Sequence, residues 1–571
     1  MIPGDHRPIF FSAEYIVLFI YFVLACLGWG AWACERTKLP FRFLFMLGFA
    51  VLAVLAYLLF FVCLLDAVTG RVVFCLLGVG SLGIAARQLA IHRVRQELRN
   101  VDVWLPVWLL LVYTASCLLV LFLHGSDPNN ALRVNMPSDN VLPEYLSDIL
   151  WNGGPVTKSM RITWVNVKPF FGDWLSSDRP PLQAALFLFC RPFEFLGFTR
   201  DEIYTLASTL FQATWIPAVY LLARQLRFSR ETMAFMLIWF CGSGFFLFHT
   251  IFTWPKLLSA SFFLGGLSVL LFCAENLPKK YPAALLGLGL LWGLALLSHG
   301  SVFFSFLAVP LLASAWRVAW AHPRAIMGAV MVFVAVQLPW SGYQKFYDPP
   351  ANRLVKWHLA GVIPVDSRGT WQTLRDSYGS LSFQQWAQNR WSNLETTLFW
   401  DKPSATDLSS LREGQLYLTT QCFFRVSAAL GLLSLGLVVM AFGWFRGKRP
   451  GPPGFHSCGE LLLMNMGCYL AWIILMFLPG GTVVHQGSFV MIVLFMIIAV
   501  SGMMELPAWA KRGLLVGHWI LFAFLFLYYF AVPPHLNAEW FVAQAVYWLF
   551  ALLFALSVWR FLLSAKDVEA N

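Results

Sequence analysis

An all-α polytopic membrane protein is the fold class the sequence predicts, and three observations predict it. Hydrophobic residues make up 59% of the 571 and charged residues only 12%, where average proteins carry about 45–50% and about 25%. The apolar residues fall into runs long enough to cross a bilayer. The basic residues cluster in alternate short loops between those runs. No soluble core of this length could bury so much apolar surface, so lipid must be the solvent.

A hydrocarbon layer of ~30 Å needs ~20 apolar residues per helix. Such runs lie near 13–33, 43–66, 71–90, 104–123, 203–223, 232–252, 256–274, 282–297, 300–318 and 325–340. After a polar interval come 422–444, 461–479, 487–504, 513–532 and 541–563, making about fifteen transmembrane helices. A further apolar stretch covers 182–198. The first run lacks a basic lead and a small-residue cleavage site, so it is expected to be a retained helix rather than a signal peptide.

The net charge of +11 is explained by its placement, and no nucleic-acid partner is expected. The basic clusters are Arg36, Lys38 and Arg42; Arg87, Arg93, Arg95 and Arg99; Arg224, Arg227 and Arg230; Lys279 and Lys280. Further along come Arg317 and Arg324; Arg446, Lys448 and Arg449; Lys511 and Arg512; Arg560 and Lys566. The positive-inside rule places all of them in the cytoplasm. They share one side only if 182–198 does not cross completely. The expected topology therefore has the N-terminus outside, the C-terminus cytoplasmic and 182–198 as an outer-face or re-entrant helix. A bacterial inner membrane is the expected location. Eleven cysteines show neither metal spacing nor a paired pattern; most lie in apolar runs, where Cys acts as a small hydrophobe.

Residues 124–181 and 341–421 interrupt the helices, both after runs that exit to the outside. Long loops are usually functional or disordered, and these are too rich in Trp, Tyr and apolar positions for disorder. The organisation expected is three additional N-terminal helices (1–103), then a core over 104–340 with its first outer loop at 124–202. A second outer loop (341–421) and C-terminal helices (422–571) follow. Gly78-Val79-Gly80-Ser81-Leu82-Gly83 matches G-x-G-x-x-G but sits mid-helix, without the strand–turn–helix context of a dinucleotide site. Helix packing through small residues explains it better. Residues 443–448 lack the spacing of a phosphate loop. Cytosolic nucleotides are therefore not the expected substrates.

The first loop holds Pro137-Ser138-Asp139-Asn140, then Pro143, Glu144 and Asp148 in a short helix. Lys168, Gly172-Asp173-Trp174-Leu175 and Asp178-Arg179-Pro180-Pro181-Leu182-Gln183 follow. Proline favours a first helical turn, so Pro180-Pro181 is expected to start the 182–198 helix with Asp178 and Arg179 at its N-terminus.

This order resembles the first outer loop of the GT-C superfamily of lipid-dependent glycosyltransferases, the protein mannosyltransferase and aminoarabinose transferase group above all. Asp139 matches the Asp that opens the family's loop, with Asn140 where the family usually has Glu. Gly172-Asp173-Trp174-Leu175 and Pro180-Pro181-Leu182-Gln183 match its later pieces. Thr253-Trp254-Pro255-Lys256 stands where the family often has a Pro-Asp pair, and Ser298-His299-Gly300 where relatives often carry Lys-Gly. The resemblance covers about 104–350. It implies a GT-C-like architecture and transfer of a sugar from a polyprenyl-phosphate-linked donor to a lipid, glycan or protein acceptor on the outer (periplasmic) face.

The chemistry such a transfer needs agrees with the residues. A carboxylate within hydrogen-bond reach can take the proton of an acceptor hydroxyl, and positive groups must meet the charge that develops on the departing phosphate. Asp139 is the candidate base and Asp173 the candidate assistant. Arg179 with Lys168 or Lys256 would bind phosphate, with Asp178 and His299 nearby; Arg353, Lys356 and His358 of the second loop are candidates for a second phosphate contact. Each has a plainer reading. Asp139 suits a helix cap, Asp178 and Arg179 could pair with each other, and Lys256 could snorkel to the interface. Trp371, Trp386, Trp391 and Trp400 could stack on sugars, and equally could anchor the loop at the membrane surface. Asp139, Glu144 and Asp148 are the acids a divalent cation would draw on, but their spacing matches no recognised site, so no metal or other cofactor is expected.

Two other readings remain open at this level: a polymerase or ligase of lipid-linked oligosaccharides, and a flippase or transporter without chemistry. Ion-coupled transporters place ionisable residues deep in their helices, where each costs ~2.5–3.5 kcal/mol. The runs here are nearly free of them.

Overall fold

Residues 8–123, 138–153, 161–162, 174–277, 279, 281–350, 352–364, 366–399, 404–406, 409–445, 455–482, 489–530 and 538–563 are described by a computed structural model. Lys168 and Asp173 lie outside these residues, and of Asp139 only the backbone is described.

Among the described residues each of the fifteen expected runs is largely helical. Ten helices are long and apolar enough to cross a membrane, or up to twelve if each of two bent pairs counts as one span. The bends have local causes. Arg230–Cys241 and Gly244–Ile251 meet at 58° across Gly242-Ser243, and Gly300–Leu311 and Ala313–Ala321 at 73° just after Pro310. Proline offers no N–H to the preceding turn, which loosens a helix where it sits. The strand content among described residues is a two-residue ladder in which Arg161 pairs with Leu175 and Ile162 with Trp174.

The core is continuous through the bundle and includes the N-terminal helices. Phe22 packs edge-on against Phe49 and meets Phe211, Tyr21 stacks on Phe189, and Tyr57 Oη accepts the Trp340 backbone N–H at 2.9 Å. The first three helices are therefore part of the bundle rather than an appendage. Close packing through glycine occurs where helix Pro8–Thr37 crosses Leu44–Leu65: a Cβ at Gly48 would lie 1.7 Å from the Cys26 carbonyl oxygen. Of the three glycines in 78–83, Gly78 abuts Tyr21, whereas Gly80 and Gly83 meet open space. Small-residue packing thus explains one of them.

Helix Lys256–Glu275, with 20 residues and ~1.5 Å rise per residue, separates two polar ends by about 30 Å. At the Glu275 end its carboxylate accepts from Gln225 Nε2 at 2.7 Å and pairs with Arg227 at 3.4 Å; Gln225 also accepts from Arg42 at 3.2 Å. Arg224 pairs with Asp102 at 2.9 Å beside it. Arg42, Arg224 and Arg227, basic residues from distant loops, therefore lie at one end, as a shared side of the membrane requires. The Lys256 end holds the short helices Leu142–Asn152 and Arg353–Ala360.

Leu182–Cys190 is too short to cross at nine residues, and its surroundings agree. Ala184 near its start lines a cleft with Leu142 and Leu146. Arg191 at its end pairs with Asp148 at 3.1 Å and lies over the Trp151 ring. Both ends thus meet one short helix, Leu142–Asn152, and the two lie along each other.

Candidate functional site

The local sequence around 253–256 makes a sharp turn. Thr253 adopts a positive φ of 58°, uncommon for a side chain branched at Cβ, and Pro255 caps the helix that begins at Lys256. The Lys256 ammonium, 4% exposed as a residue, lies 4.0 Å from the Trp254 ring centroid and 4.9 Å from that of Phe489. A cation at a helix N-terminus opposes the helix dipole, so this placement needs the aromatic faces, an anion, or both.

Three further basic residues come to the same place from three other segments. Arg179 follows the 3-10 turn Ser176–Asp178, His299 ends helix Pro282–Ser298, and His358 belongs to helix Arg353–Ala360. Burial pushes the His299 imidazole well below its ordinary range, and Lys256, Arg179 and His358 push it in the same direction. Burial likewise lowers His358 to about 3, with Arg179 and Lys256 adding to the effect. Among the described residues the charges that act on either ring are positive, and they favour its neutral form. Arg179 also lines an open cleft with Leu142, Pro143, Leu146, Leu175 and Ala184, among others.

The turn that carries Asp139, Ser138–Val141, leads directly into helix Leu142–Asn152 and so into the cleft wall. A buried chain of hydrogen bonds ties this turn to that of Lys256. Tyr204 Oη donates to the Asn140 carbonyl. Gln183 Nε2 reaches Tyr204 Oη at 3.2 Å and the Thr253 carbonyl at 3.0 Å. Gln212 completes it, donating to Gln183 at 3.3 Å and accepting the Leu258 N–H at 3.0 Å. Tyr204 and Gln212 look like ordinary polar residues of an apolar run in the sequence; only their burial reveals the role.

A second network fixes Arg179. The Asp178 carboxylate accepts the Leu175 N–H at 2.9 Å and the Arg353 guanidinium at 3.0 Å. Asp348 accepts from Ser176 Oγ at 2.6 Å and the Ser177 N–H at 3.0 Å, and Tyr343 Oη lies 2.6 Å from Ser176 Oγ. Gln344 donates to the Ser177 carbonyl at 3.0 Å. The start of the second loop thus clamps the end of the first.

The candidate site residues are engaged in different ways. Asp178 pairs with Arg353 rather than being left to its neighbour Arg179. Arg353 is engaged by Asp178 and, at 3.1 Å, by the Ile363 carbonyl. Lys356 donates to the carbonyls of Asp366 and Arg368. Both cations hold the second loop together, and of the three candidates there His358 is the one whose ring feels Arg179 and Lys256. Glu144 and Asp148 are engaged as well: Arg200 reaches them at 2.9 and 3.2 Å, and Arg191 reaches Asp148. Burial raises the Glu144 carboxyl to about 7, with Arg200 opposing it. Among the described residues no group of three His, Cys, Asp or Glu side chains is placed to hold a metal ion. Trp371, Trp391 and Phe383 are strongly exposed along the helices of the second loop, as membrane-surface anchors are.

No family model, no characterised protein and no solved structure matches the chain.

Proposed function

We propose that the chain is a membrane glycosyltransferase that takes a sugar from a polyprenyl-phosphate carrier and passes it to a lipid, glycan or protein acceptor. In this reading the chain crosses a bacterial inner membrane fifteen times, with its N-terminus and reaction site outside and its C-terminus in the cytoplasm. The observation that carries the proposal is that Lys256, His299 and His358 act on one another together with Arg179, which lines an apolar cleft. Two cations and two imidazoles suit a phosphate; the apolar wall of Leu142, Pro143 and Leu146 suits the first carbons of an isoprenoid.

Asp139 is the base in this scheme. It deprotonates the acceptor hydroxyl, the hydroxyl oxygen attacks the anomeric carbon, and the bond from that carbon to the phosphate oxygen breaks. The phosphate leaves with its charge met by Lys256 and Arg179. Support for the assignment is positional: the Asp139 turn adjoins the cleft wall, and the Tyr204–Gln183–Thr253 chain sets it relative to Lys256.

The test is sugar transfer in membranes containing the wild-type protein or Asp139→Asn, with a labelled polyprenyl-phosphate sugar as donor. A loss of 10²–10⁴-fold, the usual share of a general base, with normal expression and donor binding, is the expected result. Unchanged transfer would remove Asp139 and turn attention to Asp173. Donor binding without transfer by the wild type would favour a flippase that uses the same cradle.

A further inference from the structure

His299 differs from the other three basic residues in how its ring is held. It ends helix Pro282–Ser298 in extended backbone and caps the 3-10 turn Gly300–Val302. Its Nδ1 receives the Ser301 backbone N–H at 3.2 Å and lies 2.8 Å from Ser301 Oγ. A backbone N–H can only donate, so Nδ1 must present its lone pair there, and the ring proton resides on Nε2. No described residue accepts from that Nε2.

The elements packed around this turn leave few charges to act on the ring. Helices Pro282–Ser298, Phe303–Ala308 and Phe489–Met503 carry no charged side chain. Helix Lys256–Glu275 contributes Lys256, and Arg179 and His358 are the other described residues whose charge acts on the ring. Protonating the ring would turn Nδ1–H against the Ser301 N–H and add a third positive charge beside Lys256 and Arg179.

Building on the reading of this site as a phosphate cradle, we propose that His299 is a neutral hydrogen-bond donor to the carrier phosphate, its tautomer fixed by the Ser301 backbone N–H. A neutral imidazole can stabilise a developing anion without taking part in proton transfer. His299 then supplies directionality while Lys256 and Arg179 supply charge, and it does not protonate the departing phosphate.

The experiment uses the full chain in lipid nanodiscs and has two readouts. The first is ¹⁵N NMR of histidine-labelled protein between pH 5.5 and 8, with His299 assigned by the signals lost in His299→Gln. An unprotonated Nδ1 and a protonated Nε2 throughout is the expected result; a protonated Nδ1 at pH 7 overturns the proposal. The second is binding of a polyprenyl phosphate. His299→Ala should weaken it about tenfold, the effect of losing one hydrogen bond to a charged group. His299→Gln, which offers an amide N–H near the position of Nε2, should recover most of that loss, and His299→Lys should not. Wild-type affinity in His299→Ala, or recovery by Lys rather than Gln, overturns the proposal and leaves the cradle standing. No binding by the wild type, with Lys256→Ala equally without effect, overturns the cradle itself and this role with it.

Discussion

Asp178 and Arg353, 175 positions apart, form a buried ion pair with 3.0 Å between Oδ2 and Nη1 and 1% and 3% of their side chains exposed. It joins the residue just before Arg179 to the helix that carries His358, so two of the four basic groups of the site are set by one contact. Removing one partner of such a pair leaves the other charge buried and uncompensated, which costs about 3–5 kcal/mol. Arg353→Met should therefore lower thermal stability strongly. The double variant Arg353→Met with Asp178→Leu should recover much of it, because a well-packed apolar replacement of a buried pair is often neutral. Thermal unfolding in detergent or nanodiscs reads both; equal losses in the single and double variants would show that the pair is not what holds the two loops.

Tyr204→Phe tests the chain that runs from the Asp139 turn to the Lys256 turn. It deletes the donor to the Asn140 carbonyl and the acceptor for Gln183. Leaving buried polar groups without a partner costs about 1–3 kcal/mol. Stability should fall by that order, and sugar transfer should fall more than donor binding does, since the phosphate cradle is left whole. Parallel kinetics and binding on one preparation decide it. A loss of binding that matches the loss of transfer would mean that Tyr204 serves the cradle instead.

His358 predicts a pH dependence. Its folded-state value of about 3 lies below the ordinary 6.5, so the unfolded chain takes up a proton at higher pH than the fold does. The stability it contributes is complete above pH 6.5 and is lost as pH falls from there toward 3. His358→Asn should flatten the fall in thermal midpoint between pH 7.5 and 5. An unchanged slope would place the acid sensitivity elsewhere.

Glycines in similar apolar helices should respond oppositely. A Cβ at Gly48 meets the Cys26 carbonyl oxygen at 1.7 Å, while one at Gly80 meets nothing within 4 Å. Gly48→Ala must push two helices apart and should cost about 1–3 kcal/mol. Gly80→Ala should shift stability by no more than about 1 kcal/mol. Expression level and thermal unfolding of the two variants compare them directly.

The sequence by itself determined the class of the protein and the positions of most of its helices. These follow from length, apolar content and charge placement, which act locally along the chain: Leu44–Leu65 is helical and apolar whatever it packs against. A helix starting at Leu182 was legible through the proline pair before it, although the sequence reading carried it to 198 and the α-helix ends at Cys190. The bends at Gly242-Ser243 and after Pro310 were not used in that reading, although the residues that cause them stand in plain sight. Tertiary structure alone decided which polar residues work together. Arg353 and Lys356 look like His358 in the sequence, yet two bind carbonyls and a carboxylate of their surroundings and one joins Lys256 and Arg179. Gln183, Tyr204, Ser176 and Asp348 gain their roles only through burial, where every donor and acceptor must find a partner. Such pairing depends on distances between segments up to 175 positions apart, and no periodicity along the chain encodes them.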